Sequence, residues 1–248
     1  MKAISILNLK GGVGKTVTSV NMAYILAADH KKRVLLADCD SQCNATEFYG
    51  LTEPGLYGVA DVMLGTCEAY YADNISETVY GVDMLPASDA LMDLDLSSIG
   101  DRVNGSCLKG FCDAIREDDA YDYVIFDCPP AFNAASAAAL LASDEVIIPI
   151  KLDAFSLRGM ANIMQQVSNM RKINDSLTVA GILPTMWYKS DNIIEAEKML
   201  REFGLPVLPH VRRTNKVDDM TFAQEPLVIS SPKSAAGVDY RRVVAALM

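Results

Sequence analysis

A short loop of glycine and lysine directly after an apolar run is the feature that most constrains the fold of this 248-residue sequence. Residues 10–16 read Lys-Gly-Gly-Val-Gly-Lys-Thr, and Ile4–Leu9 before them has the composition of a buried strand. A helical pattern follows the loop, formed by Val17, Val20, Tyr24, Ala27 and Ala28. Glycines let backbone N–H groups face phosphate oxygens, and the positive end of a helix adds to that attraction. Strand, loop and helix in this order predict a phosphate-binding loop.

The residues of this loop have distinct expected roles. Lys15 is expected to contact the β and γ phosphates of a nucleoside triphosphate, and the Thr16 hydroxyl to ligate Mg²⁺. The remaining predicted nucleotide contacts are Gly11, Gly12, Val13, Gly14 and Val17. Leu9 stands where such a loop usually begins with glycine, and Lys10 follows it. Two lysines cannot easily approach the same phosphates from one side, so we infer that Lys10 points outward, toward something that closes over the nucleotide.

Further apolar runs predict the rest of the sheet. They are Val34–Ala37, Val124–Phe126, Val146–Ile150 and Val179–Leu183, with shorter strands near Val82–Leu85 and Val207. Predicted helices lie near 58–65 and 106–117, along Ile193, Ala196, Leu200 and Phe203, and along Ala236, Tyr240, Val243, Val244 and Leu247. Continuous apolar strands that alternate with helices predict a doubly wound α/β fold, with a mostly parallel sheet and helices on both faces. Ligands bind such folds at the carboxyl ends of the strands.

Aspartates follow two of these strands. Asp38 and Asp40 come directly after the second strand, and a pair of carboxylates there is costly unless cations lie near. Mg²⁺ and the loop lysines would supply those cations. Asp127, followed by Cys128 and two prolines, ends the strand near 124–126 and is placed to hold Mg²⁺ through water opposite Thr16. The prolines stiffen the loop that would sense the γ-phosphate.

Composition narrows the functional classes. No apolar run is long enough to span a membrane, and the sequence enters a strand at once without a signal peptide. Six cysteines without CxxC spacing, together with two histidines, fit reduced cytosolic thiols better than a zinc site; they are Cys39, Cys43, Cys67, Cys107, Cys112 and Cys128. The net charge of −10 argues against nucleic-acid binding unless a local basic patch exists.

Together these motifs resemble the deviant Walker-A family of P-loop ATPases, the ParA, Soj and MinD proteins, over nearly the whole chain. The family pattern Asp-x-Asp-Pro-Gln-Gly-Asn matches residues 38–44, except that Ser41 replaces proline and Cys43 replaces glycine. Asp-Cys-Pro-Pro at 127–130 and Gly-Ile-Leu-Pro-Thr at 181–185 also match. The likeness is strongest to small ParA proteins without an N-terminal DNA-reading domain. It implies that residues 1–248 form one P-loop ATPase domain.

The resemblance also implies residue roles. Lys10 would reach across a dimer interface to the partner's ATP and would be catalytic together with Lys15 and Asp40, with Asp40 orienting the attacking water. Asp38 would bind a metal-bound water or hold the loop. Adenine contacts would come from Thr185, Met186, Pro209, His210 and Val211, although ordinary loop packing explains these residues nearly as well. DNA phosphates would be bound by Lys189, Arg212, Arg213 and Lys216.

The implied function is ATP-dependent DNA partitioning. A MgATP homodimer would bind DNA non-specifically in the cytoplasm, on the nucleoid, and a ParB-like centromere-binding protein would stimulate hydrolysis. A MinD-like membrane ATPase is the main alternative, but the chain ends inside its last helix, so no amphipathic tail or membrane partner is expected. An iron–sulfur reductase subunit and a non-enzymatic scaffold with a degenerate site remain further alternatives.

Overall fold

The fold is built on a sheet of six parallel strands. The computed structural model describes residues 1–53, 55–65, 75–94, 107–202 and 204–248. Within these ranges the strands are β1 (Lys2–Ile6), β2 (Val34–Asp38), β3 (Asp83–Leu85), β4 (Tyr123–Asp127), β5 (Glu145–Lys151) and β6 (Thr178–Thr185). They lie in the order β3–β2–β4–β1–β5–β6, and every pairing is parallel. The predicted doubly wound α/β class is confirmed.

Helices cover both faces of this sheet. They are α1 (Lys15–Ala28), α2 (Asn44–Phe48), α3 (Val59–Leu64), α4 (Cys107–Glu117), α5 (Ala134–Ala142), α6 (Ala154–Met170), α7 (Asp191–Glu202), α8 (Lys216–Ala223), α9 (Leu227–Ser230) and α10 (Ala235–Leu247). On one face α1 packs against α9 and α10, and on the other α5 packs between α4 and α6. Because side chains alternate across each strand, both faces bury apolar residues and two hydrophobic layers result.

Helix α1 is buried over more of its circumference than its apolar sequence pattern predicts. The pattern placed Val17, Val20 and Tyr24 on one inner face, yet Val17 and Tyr24 are only partly buried. Met22 and Ile25, outside that pattern, are almost fully buried instead. The helix lies between the sheet and α10, so neighbours cover it from two sides and a single apolar stripe does not describe it.

Two predicted strands differ from the observed ones. β1 ends at Ile6 rather than Leu9, because the side chain of Asn8 already belongs to the loop: it donates to the Pro149 carbonyl and accepts the N–H of Lys10. The strand predicted near Val207 is only an isolated bridge to Ile182. Phe203, Cys67 and the predicted first residue of the 106–117 helix lie outside the described ranges.

The central strands bring the sequence motifs together at one edge. β4 lies between β1 and β2, and Asp127 is in register with both Ile6 of β1 and Asp38 of β2. The glycine–lysine loop follows β1, so the loop and both aspartate motifs meet at the carboxyl edge of the sheet. None of the helices in the described ranges combines the length and apolar character that crossing a membrane requires.

Candidate functional site

The backbone of the loop is held in a conformation that needs glycine. Gly12 and Gly14 have φ values of 69° and 85°, in the left-handed region that residues with a Cβ rarely adopt. Gly14 directly precedes α1, so the loop leads into the amino end of that helix. Thr185 at the end of β6 donates a hydrogen bond of 2.8 Å to the Val13 carbonyl and ties the loop to the sheet. The result is a concave backbone suited to an anion.

Lys15 lies inside this loop. Its side chain is mostly buried, and its ammonium donates to the Lys10 carbonyl at 3.3 Å. Burial lowers the pKa of Lys15, and the nearby charges of Asp127 and Asp40 partly oppose that change. A desolvated ammonium with one distant carbonyl partner is short of hydrogen-bond acceptors. Phosphate oxygens in the loop would supply them.

Lys10 points away from the loop interior. Its ammonium lies 2.8 Å and 3.1 Å from the two carboxylate oxygens of Asp153 and 3.0 Å from the Ser156 hydroxyl. Asp153 also caps the amino end of α6 by accepting the N–H of Ser156. Although partial burial raises the pKa of Asp153, these hydrogen bonds hold it down at about 2. The side chains of the two loop lysines therefore point to different places: Lys15 lies inside the loop, and Lys10 contacts α6 outside it.

Asp127 and Thr16 fit a magnesium site. One carboxylate oxygen of Asp127, Oδ1, accepts the Ser19 hydroxyl at 2.9 Å. The other, Oδ2, is buried and accepts no hydrogen bond of normal geometry from the described residues, although the Thr16 hydroxyl lies near the carboxylate. An orphaned buried carboxylate oxygen is costly unless a cation or its bound water lies beside it. Mg²⁺ at nucleotide phosphates keeps several waters and needs only one or two protein ligands, so this small donor set is sufficient.

Asp38 and Asp40 have separate surroundings. Asp38 Oδ2 accepts both the N–H and the hydroxyl of Thr46, and Oδ1 accepts the N–H of Asp40. Both oxygens of Asp38 thus hold the loop between β2 and α2, which was one of its two expected roles, and this geometry does not favour a direct metal contact. Asp40 Oδ1 accepts the Gln42 N–H at 3.0 Å, which leaves Oδ2 for a further donor such as water.

The buried carboxyl groups favour a bound cation. Burial raises the pKa of Asp38 to about 6, opposed by its hydrogen bonds from Thr46 and Asp40. Burial and the neighbouring charge of Asp38 raise the pKa of Asp127 to about 7, opposed by the hydroxyls of Thr16 and Ser19 and by Lys15. Two such acids at adjacent strand ends repel each other when ionised. A divalent cation beside them removes that repulsion.

A cavity of about 360 Å³ opens beside the loop at the ends of β5 and β6. Three of the five predicted adenine contacts line it together with Gly14; they are Thr185, Met186 and Val211. Further lining residues that sequence reasoning did not identify are Lys151, Tyr188, Thr214, Asn215, Val217, Asp218 and Tyr240. The sequence pattern identified Tyr240 only as an apolar-face residue of the last helix. It gave no indication of Lys151, a cation at the end of β5. Met186 has a φ of 51°, unusual for a residue with a side chain.

The other two predicted adenine residues take a supporting position. His210 stacks on Trp187, with ring centroids 4.0 Å apart, and its Nδ1 lies 3.3 Å from Glu197. Glu197 also accepts the indole N–H of Trp187 at 2.9 Å. Neither Pro209 nor His210 lines the cavity, so they are placed to shape the loop behind Val211.

The four predicted DNA-binding residues fall into two groups. Arg212 makes a two-pronged ion pair with Asp239 of α10, whose side chain is only 2% exposed, and Lys216 pairs with Asp219 at 2.8 Å. Lys189 and Arg213 are exposed, and neither side chain has an ion-pair partner in the described part of the chain. Because Arg212 compensates a buried carboxylate, its geometry indicates a structural role, and its predicted DNA contact stays a prediction.

The cysteines near the site are free thiols. Cys39 and Cys128 are buried beside the two strand-end aspartates, and Cys112 is buried beneath them in the same hydrophobic layer. Burial raises the pKa of Cys128 to about 12 and that of Cys112 to about 12, so both stay protonated. Within the described ranges, no group of three or more His, Cys, Asp or Glu side chains is arranged to hold a metal ion.

The fold and this site define a P-loop nucleotide-binding protein. Comparisons with known proteins agree. A family model described as an AAA domain matches residues 1–179. The sporulation initiation inhibitor protein Soj of Bacillus subtilis is 32% identical over 247 residues, covering 96% of this chain and 95% of Soj. The chromosome partitioning protein ParA of Caulobacter vibrioides is 31% identical, covering 98% and 92%.

A solved structure extends the agreement to the ligands. Cobyrinic acid a,c-diamide synthase from Mycobacterium smegmatis, with a bound ATP analogue and magnesium, is 27% identical, with a TM-score of 0.84 over 100% of this chain and 94% of that one. The chain belongs to the AAA-domain family of P-loop proteins and, within it, to the ParA and Soj type of deviant Walker-A ATPase. ATP and Mg²⁺ are the ligands of its site.

Proposed function

We propose that this chain is an ATP-hydrolysing DNA-partition protein. MgATP joins two copies, the joined pair binds DNA without sequence preference, and hydrolysis separates the copies and releases the DNA. A ParB-like protein bound at a centromere-like DNA site accelerates that hydrolysis, in the cytoplasm and on the nucleoid. The name of one relative, the chromosome partitioning protein ParA, supports this reading. The observation that carries it is the outward direction of Lys10, opposite to that of Lys15.

The dimer step rests on the two lysines. Lys15 occupies the loop interior, so the phosphates of the chain's own nucleotide already have a cation. Lys10 is 40% exposed at its side chain and is held by Asp153 at the surface. When released from Asp153 it is free to reach a nucleotide bound to a second copy. The charge of that lysine then stabilises the closed pair only while phosphates are present.

The hydrolysis step is assigned to Asp40. Its free carboxylate oxygen Oδ2 is available to orient a water, while Oδ1 stays bonded to the loop backbone. Thr16, and Asp127 through water, would hold Mg²⁺, which would supply positive charge that offsets the phosphate charge. Asp40 orients a water toward the γ-phosphate and accepts its proton as the water oxygen bonds to the γ-phosphorus. The bond from that phosphorus to the bridging oxygen breaks, and ADP and phosphate leave.

The DNA step depends on dimerisation, which doubles the number of exposed cations that can contact DNA. Each copy offers Lys189 and Arg213 as exposed cations on a chain whose net charge is −10. One such pair is too weak to retain DNA against self-repulsion and salt. Two pairs on a rigid dimer act together, because the second binding event becomes intramolecular.

The deciding experiment is a retention assay on DNA of random sequence with no nucleotide, MgADP, MgATP and a non-hydrolysable ATP analogue. We expect retention only with MgATP and the analogue, and longest with the analogue. A parallel arm uses anionic lipid vesicles under the same four conditions. Retention on vesicles without retention on DNA would instead support a MinD-like membrane ATPase. Equal retention in all four conditions would contradict both readings.

We predict that Lys10→Ala separates nucleotide binding from dimerisation. MgATP binding by the single copy should remain detectable by calorimetry, because Lys15 still contacts its phosphates. The dimer should be absent in sedimentation with the ATP analogue. The dimer interface contains two nucleotides, and each would lose its charge-assisted contact from the lysine of the other copy. Dimerisation at wild-type strength would exclude the trans role of Lys10.

Asp153→Asn is the matched variant for the lysine. It keeps a side-chain acceptor for the Ser156 N–H but loses the charge that holds Lys10. We expect dimerisation at a lower concentration of ATP analogue, by about threefold to tenfold, because an ion pair that competes with the interface is weakened. Stronger dimerisation of Asp153→Asn, together with no dimerisation of Lys10→Ala, would identify Lys10 as the residue that contacts the nucleotide of the other copy.

We predict that Arg213→Ala weakens DNA retention and that Arg212→Ala acts on stability. Loss of Arg213 should lower retention at every DNA sequence and reduce the salt slope by about one unit per lost phosphate contact. Loss of Arg212 leaves the buried carboxylate of Asp239 short of donors, so unfolding in urea should show about 1–3 kcal/mol of destabilisation. A normal salt slope in Arg213→Ala would place the DNA surface elsewhere.

A further inference from the structure

Helix α8 approaches the nucleotide site from outside the sheet, next to α2. A cavity of about 350 Å³ separates the two, lined by Thr16 and Val17 of α1, by residues of α2 and by Met220 of α8. Because of this space, the described side chains of α2 and α8 do not form a continuous packed interface. A direct hydrogen bond between the two elements lies at the rim of this cavity, where Gln224 is one of the lining residues.

Gln224, directly after α8, makes the connection twice. Its side-chain amide donates a hydrogen bond of 2.6 Å to the carbonyl of Glu47 in α2. Its own carbonyl accepts the hydroxyl of Tyr80 at 3.0 Å, and the Tyr80 ring packs edge-on against Tyr49, which directly follows α2. Both contacts therefore lead from Gln224 to the same five-residue helix.

The backbone at Gln224 gives a second indication. Its φ is 51°, in the left-handed region that favours glycine at the end of a helix. A glutamine at this position costs backbone strain that a glycine would avoid. The left-handed backbone lets the N–H groups of Gln224 and Glu225 donate to the Met220 carbonyl at the end of α8. Glycine would keep these backbone bonds without the strain, so the side-chain amide is the feature that distinguishes glutamine here.

Helix α2 is rigidly attached to the loop that holds Asp40. Asp38 accepts the N–H and hydroxyl of Thr46 in α2 and also the N–H of Asp40. Cys43, between the loop and the helix, has a φ of 54°. Asp40 and α2 therefore share one anchor, the Asp38 carboxylate at the end of β2. A rearrangement of this loop by the nucleotide would reach α2 through that anchor.

Helix α8 links Gln224 at its carboxyl end to the cationic segment that precedes its amino end. It begins at Lys216, three residues after the exposed Arg213 of the proposed DNA surface. Its inner side is anchored at Met220, which is almost fully buried and contacts the Asn21 amide of α1. Displacement of the Gln224 end about this anchor changes the direction of the Lys216 end.

We propose that Gln224 is a positioning residue that couples the Asp40 loop, through α2, to helix α8 and so to the cationic segment before it. The proposal rests on the proposed function for the meaning of that cationic segment, while the coupling itself is independent of DNA. Through this contact the nucleotide state of the site sets the position of α8.

The test is amide hydrogen exchange on the whole chain without DNA, in the MgADP state and with MgATP analogue. In the wild type we expect exchange within residues 216–224 to differ between the two states by about twofold to tenfold, the range that one net hydrogen bond supports. In Gln224→Gly that difference should disappear. Protection of the loop at residues 11–16 by nucleotide should be equal in both proteins, and the Gly variant should melt no lower than wild type.

Each outcome has a definite meaning. If nucleotide gives no protection at residues 11–16 in the wild type, the proposed function fails. If that protection is present but α8 exchanges equally in the two states, the coupling is overturned. A difference of wild-type size in Gln224→Gly overturns the role of the side chain. Tyr80→Phe removes only the contact to the Gln224 carbonyl, so it should keep the response; a full loss there would assign the coupling to Tyr80 in place of the amide.

Discussion

Lys15→Ala is expected to weaken MgATP binding by about 10²- to 10³-fold, because two charge-assisted contacts to the phosphates are lost together. Isothermal calorimetry measures the affinity directly. The magnitude exceeds that expected for any other single substitution in the loop, since Lys15 is the cation inside it. The affinity of Lys10→Ala provides the comparison, because it removes the same charge from the same loop on the outward side.

Folding must be separated from binding in this variant. Lys15 is buried, and burial lowers its pKa. Because the charges of Asp127 and Asp40 offset that burial only in part, the ammonium contributes little to the stability of the nucleotide-free protein. We expect unfolding in urea without nucleotide to change by less than about 1 kcal/mol. The stabilisation that saturating MgATP gives the wild type should be absent. A variant that binds MgATP with wild-type affinity would remove Lys15 from the site.

Asp40→Ala is expected to slow phosphate release by about 10²-fold or more, the contribution of a positioned base or water-orienting carboxylate. Nucleotide binding should persist, so the variant should remain as an ATP-bound dimer on DNA after the wild type has been released. Single-turnover hydrolysis and the DNA-retention lifetime measure the two effects.

Asp40→Asn is the control for backbone effects. Asp40 Oδ1 accepts the Gln42 N–H, and alanine removes that bond as well as the charge. Asparagine keeps an acceptor of the same shape. If hydrolysis is lost in both variants while the dimer persists, the missing element is the carboxylate. If both variants hydrolyse ATP at the wild-type rate, Asp40 does not orient the water.

Local sequence patterns were sufficient for the loop and the sheet. The phosphate loop lies within seven consecutive residues, and its backbone conformation is specified by glycines at 12 and 14. The six strands are continuous apolar runs, so their positions and parallel arrangement followed from pattern, although the pattern also predicted a strand near Val207 that is only an isolated bridge. Asp38 and Asp127 lie side by side at the carboxyl edge, because β2 and β4 are adjacent parallel strands and end in register. The sequence did not define the strand ends, since Asn8 stops β1 through a carbonyl of β5.

Side-chain partners far apart in the chain were not predictable in this way. Lys10 was expected to point outward, but nothing near it in sequence indicates that Asp153 holds it there. The segment after the late proline carries two adjacent arginines, and sequence alone treats them as equivalent. Packing distinguishes them: Arg212 faces the buried Asp239, and Arg213 faces solvent.

The sequence by itself determined that this chain is a P-loop protein for ATP and Mg²⁺. The phosphate-binding residues are contiguous and glycine specifies their backbone, while Asp127 directly ends an apolar strand. Only the tertiary structure decided which cations remain exposed, which carboxylates hold loops and which helix meets α2. Those properties depend on the distance between side chains from separate elements, and such a distance exists only after the helices have packed on the sheet.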